Sequence, residues 1–295
     1  MIAEFLASWP LFHSTYLAGW AIAVVLALVG VPVVARDQIF VGAAVAQASM
    51  LGLALGLWAD VTPLLAACDW CHAEGVRAGL GGGFAVVAAI ACARGGRSGA
   101  RETPEAVTGW VFLTAGSLAV LVLAHSPHGL EEVHRLLSST LLGASHVDVT
   151  LFAAAAASTA VLVTWRRPTL LLLVMDPDMA AAGGINVRAW TLATNVWLGA
   201  VVGLSVRVSG MIYAFACLVL PALVAKSLCR EVGQMFVVAP LVSVLCAMVA
   251  FVLAHRWDLP ARSARGSVRE ARPSQPADVA RSPRQRGRAT TATRQ

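Results

Sequence analysis

Residues 15–35 read TYLAGWAIAVVLALVGVPVVA and contain no charged side chain. An α-helix needs ~20 mostly apolar residues to cross the ~30 Å hydrocarbon core of a bilayer. The run is too long and too uniform for a β-strand, and it lacks the strict alternation of a membrane barrel. It therefore predicts a membrane-spanning helix. No basic segment precedes it, so we expect a retained helix rather than a cleavable signal peptide.

Further apolar runs of similar length follow along the chain. We place them at 39–58, 79–93, 107–124, 149–165, 190–206, 210–228 and 234–254. The glycines at 79–83 leave the start of the third segment open. Alanine and glycine are frequent in these runs, and small residues let membrane helices approach closely. The sequence therefore predicts an all-α, polytopic bundle of about eight transmembrane helices, with residues 1–260 as the membrane domain.

The charge of the chain sits at its C-terminal end. Of all residues 58% are hydrophobic and 13% are charged, with a mean hydropathy of +0.73. A soluble domain carries about 25% charged residues, so an ordinary soluble enzyme and a disordered chain are both excluded. The net charge of +6 comes from residues 261–295, which hold nine Arg and two acidic residues. We predict a disordered Arg/Pro-rich tail there, in contact with solvent or lipid headgroups, and no nucleic-acid partner, because the body has no basic face.

Basic residues in the connections predict the orientation of the bundle. With the N-terminus outside, most of those in the body face the cytoplasm: Arg36, Arg94, Arg97, Arg101, Arg166, Arg167, Arg188, Lys226 and Arg230. Fewer lie at outer ends: Arg77, Arg135, Arg207 and Arg256. Every histidine then lies at or beyond the outer surface: His13, His72, His125, His128, His134, His146 and His255. They are either ordinary loop residues or a surface that handles transition-metal ions, for which imidazole is the commonest ligand.

One candidate metal segment lies between the fourth and fifth apolar runs. It contains His125, His128 and His134 with two glutamates, and His146 and Asp148 follow. Nitrogen and carboxylate ligands suit zinc or manganese, although the spacing matches no closed structural site. A loose outer loop that attracts cations is the alternative.

A second candidate is Cys68-Asp-Trp-Cys71-His72, which has the spacing of covalent haem attachment. Only about 20 residues separate the neighbouring runs, which leaves no room for a haem-binding fold. A disulfide or dithiol in an outer loop is the plainer interpretation. A zinc or copper contact through Cys71, His72 and Glu74 is a third. No firm cofactor is predicted.

The connection between Arg166 and Arg188 predicts a short surface helix. Asp176 can cap it with Pro177 at its first position, and Gly183 or Gly184 can end it. The chain contains no Gly-x-x-x-x-Gly-Lys-Ser/Thr motif, so it cannot hydrolyse ATP by a P-loop. The chain therefore has no energy source of its own, and it has an exposed short helix. We expect this helix to dock to a separate subunit that supplies the energy.

The chain resembles the permease subunits of ABC transporters that import zinc, manganese or iron. Three stretches carry the resemblance: residues 176–188, residues 206–210 with Leu220-Pro221-Ala222, and residues 42–52. Supporting matches are Arg101-Glu102-Thr103, Leu142-Gly143-Ala144 and Asp258-Leu259-Pro260. Together they cover roughly residues 15–260. Their order and spacing, rather than any single motif, make the match.

The sequence departs from this family at two points. In the family's second helix the pattern is close to Gly-Asp-x-x-x-His-Ala, whose Asp and His are expected to bind the metal. Ala43 and Gln47 occupy those positions here. Ala43 is no ligand and an amide oxygen is a feeble one, so a chelated metal or another small solute becomes credible. The family also commonly adds one more apolar helix where the tail begins here.

The resemblance implies the subunit of an ATP-driven importer in the cytoplasmic (inner) membrane, working by alternating access. Two copies would form the pathway, lined by Ala43, Gln47 and Ser49, for which helix packing is the alternative role. Two ATPase subunits would dock on the surface helix through Asp176, Asp178, Ala182, Gly183 and Asn186. A solute-binding protein would deliver substrate to the outer loops. The rival interpretations are a haem-bearing or thiol-redox membrane protein and a non-transporting membrane scaffold.

Overall fold

The structure is a computed structural model that describes residues 2–61, 74–95, 103–124 and 144–256. In these ranges every regular element is an α-helix. The helices are α1 (Ile2–Ala35), α2 (Ile39–Val61), α3 (Glu74–Gly95), α4 (Pro104–Ala124), α5 (His146–Trp165), α6 (Arg167–Met175), α7 (Pro177–Ala182), α8 (Val187–Leu228) and α9 (Val232–Arg256). The predicted tail at 261–295 lies outside the described residues.

Every predicted apolar segment falls within a helix, which confirms the fold class. Seven helices of the described ranges are long and apolar enough to cross a membrane. Two of the eight predicted segments, 190–206 and 210–228, share the helix α8. Two details differ from the prediction: α3 begins at Glu74, so the glycines at 79–83 lie inside it, and α6 was not predicted.

Helix α8 reverses direction at Gly210, which has φ 78° and ψ 165° inside an otherwise helical run. Trp190, near the start of α8, and Ala225, near its end, both pack in one apolar cluster that includes four residues from the end of α1, Ala27, Leu28, Val31 and Val34. In a straight helix these two residues would be about 50 Å apart, at 1.5 Å per residue. They could not then both contact the same part of α1. Glycine adopts a positive φ without steric cost, which explains why the turn occurs at this residue. The two predicted segments are therefore two separate passes, α8a (187–209) and α8b (211–228).

The passes alternate in direction, so the bundle has two ends. Asp37 contacts Lys226, and Arg36 contacts the carbonyl of Leu173, at what we call the α7 end. At the opposite end, called the His13 end, Asp148 pairs with Arg207 and the ring of His13 lies against that of His146. Several basic residues were predicted to face the cytoplasm. Those that the structure describes all lie at the α7 end.

Glycines bring α3 into close contact with α2 and α8a. A Cβ on Gly52 would lie 2.5 Å from the carbonyl oxygen of Leu80, and one on Gly203 would lie 2.7 Å from the Cα of Gly82. Backbones can approach this closely only where the side chain is absent. Gly52 and Gly203 thus allow the backbone of α3 to pack directly against α2 and α8a.

Large apolar side chains cover much of the outside of the bundle. On α4, for example, Trp110 and Leu113 are each 69% exposed. A surface of this kind is unstable in water and suits contact with lipid or with another membrane helix. The chain is accordingly a multi-pass membrane protein.

Candidate functional site

The predicted pathway residues of α2 divide between two faces of the helix. Ala43 and Gln47 are four residues apart and share one face, whereas Ser49 faces elsewhere. Ala43 is buried. The Gln47 side chain lies against α4, where a Cβ on Gly116 would be 3.2 Å from Oε1. This oxygen is buried and has no hydrogen-bond partner among the described residues.

Ser49 is used in helix packing. It is fully buried, and its hydroxyl donates a hydrogen bond of 3.3 Å to the carbonyl of Gly203 in α8a. Hydroxyl bonds of this kind join membrane helices in the absence of water. Of the two roles expected for Ser49, this geometry favours packing.

The predicted surface helix is present as α7. The carboxylate of Asp176 accepts hydrogen bonds from the backbone N–H groups of Asp178, at 3.1 Å, and Met179, at 2.9 Å. Pro177 stands at the first helical position, where its missing N–H costs nothing. The N-terminal cap inferred from the sequence is therefore the one the structure contains.

Two glycines end α7. The N–H of Ile185 bonds to the carbonyl of Ala180, and that of Gly184 bonds to Ala181, which together form a Schellman motif. Gly184 has φ 79° and is the residue that needs the left-handed region. Gly183 has an ordinary φ of −74°. Of the two glycines offered by the sequence, Gly184 is thus the one that the turn requires.

The remaining coupling residues lie on the surface around α7. Five of them are exposed to solvent: Asp176, Asp178, Ala182, Gly183 and Asn186. Asn186 caps the next helix, because its Oδ1 accepts from the N–H of Ala189 at 3.1 Å. Ala180 is fully buried and anchors the short helix, while Met175 and Met179 are 71% and 62% exposed. Met175 and Met179 are thus exposed to solvent next to the carboxylates of Asp176 and Asp178.

A polar cluster at the His13 end was not predicted from the sequence. Asp148 and Arg207 form an ion pair of 2.7 Å, and Asp148 also accepts from the N–H and hydroxyl of Ser145. The Ser145-x-x-Asp148 spacing is a capping-box signature that the sequence did offer. Its partner, Arg207, could not be identified without the fold. The rings of His13 and His146 lie nearby, with centroids 5.4 Å apart.

The predicted metal ligands cannot be placed in this site. His125, His128, His134, Cys71 and His72 lie outside the described residues, as does the pair Cys68 and Cys71. Among the residues that the structure does describe, no group of three or more His, Cys, Asp or Glu side chains could hold a metal ion.

Comparisons with known proteins agree with the resemblance. The sequence model of the ABC 3 transport family matches residues 8–264. The chelated iron transport system membrane protein YfeD of Yersinia pestis is 23% identical over 252 residues, which cover 85% of this chain and 79% of that protein. The high-affinity zinc uptake system membrane protein ZnuB of Haemophilus influenzae is 21% identical over 245 residues, covering 83% and 88%. The structure of PsaBC from Streptococcus pneumoniae in complex with Fab superposes with a TM-score of 0.70 at 19% identity, covering 89% of this chain and 90% of the other.

Proposed function

The chain belongs to the ABC 3 transport family, and from that premise we propose that it is the permease subunit of an ATP-driven importer of a divalent metal ion or its chelate. The relatives named above are membrane proteins of chelated-iron and zinc systems, and further relatives belong to manganese transport systems. The multi-pass bundle is the part that crosses the membrane. An ATP-hydrolysing partner supplies the energy, because the chain has no P-loop motif.

The observation that carries this proposal is the surface helix α7. Its two ends are fixed by Asp176 and Gly184, and Ala180 holds it to the bundle. A short helix held this firmly can transmit a displacement, whereas a loose loop would absorb it. Exposed Met175 and Met179 offer apolar contact area, and methionine adapts readily to a partner surface. We therefore assign α7 to the contact with the ATPase.

The pathway in this chain is poor in metal ligands. On the Ala43 and Gln47 face of α2, the amide of Gln47 is the available group, and its Oε1 is buried without a partner among the described residues. A weak oxygen donor suits a metal that arrives with ligands of its own, or brief passage of an ion without tight binding. The substrate is accordingly a chelated or loosely held divalent metal. Zinc, manganese and iron are its candidates.

We propose the following assembly from the size of the bundle, which is too small to enclose a pathway alone. Two copies would enclose one pathway, and each would offer one α7 to an ATPase subunit. The basic α7 end would face the cytoplasm, where Lys and Arg are in excess in membrane proteins. A solute-binding protein would then dock at the His13 end. We infer from this arrangement that the chain lies in the cytoplasmic membrane.

A charge reversal on α7 tests the assignment. We expect Asp178→Lys to reduce metal-dependent uptake at least tenfold in proteoliposomes containing the permease, its ATPase and its binding protein, because the partner surface would meet a cation in place of a carboxylate. The bundle should fold normally, since the Asp178 side chain is exposed.

The matched control is Glu105→Lys. Glu105 is also exposed, in the first turn of α4, and it lies at the same end of the bundle. This variant should transport normally. Equal transport by the Asp178→Lys and wild-type complexes would refute the role of α7.

A further inference from the structure

A cavity of about 100 Å³ lies near the α7 end, between α1, α5, α6 and α8a. Its walls are mostly aliphatic and include Leu28, Val33 and Leu170. This volume admits a short stretch of an acyl chain rather than a whole lipid. The cavity is separate from the Gln47 face of α2, so it is not part of the proposed pathway.

One cation lines this apolar cavity. Arg36 follows directly after the apolar span of α1, and its Nη2 donates a hydrogen bond of 2.6 Å to the carbonyl of Leu173. That acceptor is a neutral carbonyl, while the neighbouring Asp37 pairs with Lys226. Burial lowers the pKa of the Arg36 guanidinium. The guanidinium nevertheless stays charged, so the cavity contains a positive charge that an anion would balance.

A tryptophan of the cavity wall also contacts a second arginine, Arg166. Trp190 lines the cavity near the start of α8a, and tryptophan is typical of the level of the lipid headgroups. The guanidinium of Arg166 lies 5.7 Å from the ring centroid of Trp190 and 5.0 Å from that of Trp165. Basic pockets between membrane helices on the cytoplasmic side bind acidic lipid headgroups.

The cavity also reaches the outside of the bundle. Two lining residues, Ala193 and Leu162, are exposed on the flank that would face lipid, and Gln38 is exposed at the α7 end. A lipid could therefore enter sideways from the bilayer, with its headgroup at the water boundary. A free anion such as phosphate has no acyl chain, so it would leave the apolar part of the cavity unfilled.

We propose that this cavity is a binding site for an anionic phospholipid, with the phosphate at Arg36 and one acyl chain inserted between α1, α5 and α8a. The lipid would be drawn from the leaflet at the α7 end. Leu170 of α6 forms one wall, so the bound lipid would support the helix that leads directly into α7.

Native mass spectrometry of the purified full-length chain can test this site. The chain would be titrated in detergent with phosphatidylglycerol, phosphatidylcholine or inorganic phosphate. We expect phosphatidylglycerol to bind about fivefold or more tightly than phosphatidylcholine, the factor that one basic residue near the membrane surface provides. The variant Arg36→Gln should lose this preference while it keeps an amide donor for the carbonyl of Leu173.

Two further variants decide between a specific site and a general surface charge. Arg188→Gln removes a charge at the same end, outside the cavity, and should keep the preference. Ala193→Phe should block entry and weaken the binding of both lipids. Equal effects of Arg36→Gln and Arg188→Gln would overturn the proposal, and so would displacement of phosphatidylglycerol by millimolar inorganic phosphate. Lipid binding requires no transport, so it can fail while the proposed function stands.

Discussion

Asp148 of α5 and Arg207 of α8a form an ion pair of 2.7 Å at the His13 end of the bundle. Arg207 lies three residues before the reversal at Gly210, and Asp148 also fixes the start of α5 through Ser145. The pair thus links the start of α5 to the turn between α8a and α8b. Both side chains are partly buried, with exposed fractions of 29% for Arg207 and 13% for Asp148.

Removing this arginine should weaken the bundle. We expect Arg207→Met to lower the free energy of unfolding by about 1–3 kcal/mol, because a hydrogen bond to a charged group is lost and Asp148 keeps a less compensated charge. Denaturant unfolding in detergent measures the effect. Asp148→Asn combined with Arg207→Met should cost less than the sum of the two single changes. Strict additivity would show that the pair contributes no interaction energy.

The two glycines after α7 should differ in their tolerance of alanine. Gly184→Ala forces a side chain into the left-handed region, at a cost of about 1–2 kcal/mol, whereas Gly183 already has an ordinary φ. The amide of Ile185, which closes the Schellman motif, should exchange with deuterium about tenfold faster in Gly184→Ala. Gly183→Ala should leave this exchange rate close to wild type. Similar rates in both variants would contradict the assigned cap.

Close packing of α3 on α8a predicts another contrast between glycines. A Cβ on Gly203 would lie 2.7 Å from the Cα of Gly82, a backbone atom that cannot move away alone. Gly203→Ala should therefore destabilise the bundle by about 1–3 kcal/mol. A Cβ on Gly83 would meet no atom of the described residues within 4 Å, so Gly83→Ala should be neutral or stabilise α3 by up to about 1 kcal/mol. Thermal unfolding of the two variants compares them directly, and a stable Gly203→Ala protein would contradict the observed packing.

Restoring metal ligands on α2 should tighten metal binding. Positions 43 and 47 are one helical turn apart on the same face, so Ala43→Asp with Gln47→His presents a carboxylate and an imidazole side by side. We expect the double variant to bind zinc or manganese at least tenfold more tightly, as measured by isothermal titration in detergent. Ser49→Ala is the control, because its hydroxyl already bonds to Gly203, and it should not change metal affinity. An unchanged affinity in the double variant would show that this face is closed to the metal.

The sequence predicted those features that depend on neighbours along the chain. Long apolar runs identified the membrane helices, and Asp176, Pro177 and the two glycines identified the ends of α7, because capping is a local interaction. A break before residue 210 was also predicted, although not that one glycine suffices for the reversal. Each of these features depends on residues that are close together in the sequence, so it can be recognised without the fold.

Features that depend on distant residues could not be predicted. The partner of Asp148 is 59 positions away, and the carbonyl that accepts from Ser49 is 154 positions away. Helix α6 was missed because its apolar run is too short to span a membrane and packs Leu170 and Leu173 against the bundle. The close approach of Gly82 to Gly203 likewise could not be predicted without the fold.

The most direct test of the proposed function is metal accumulation in sealed proteoliposomes. They would contain the permease with its ATPase, and the binding protein would be added on the side of the His13 end. We predict that radioactive zinc, manganese or iron accumulates inside only when ATP is present at the α7 end, and that the Asp178→Lys complex accumulates at least tenfold less. Accumulation that is independent of ATP, or none for any of these metals free or chelated, would contradict an ATP-driven metal importer.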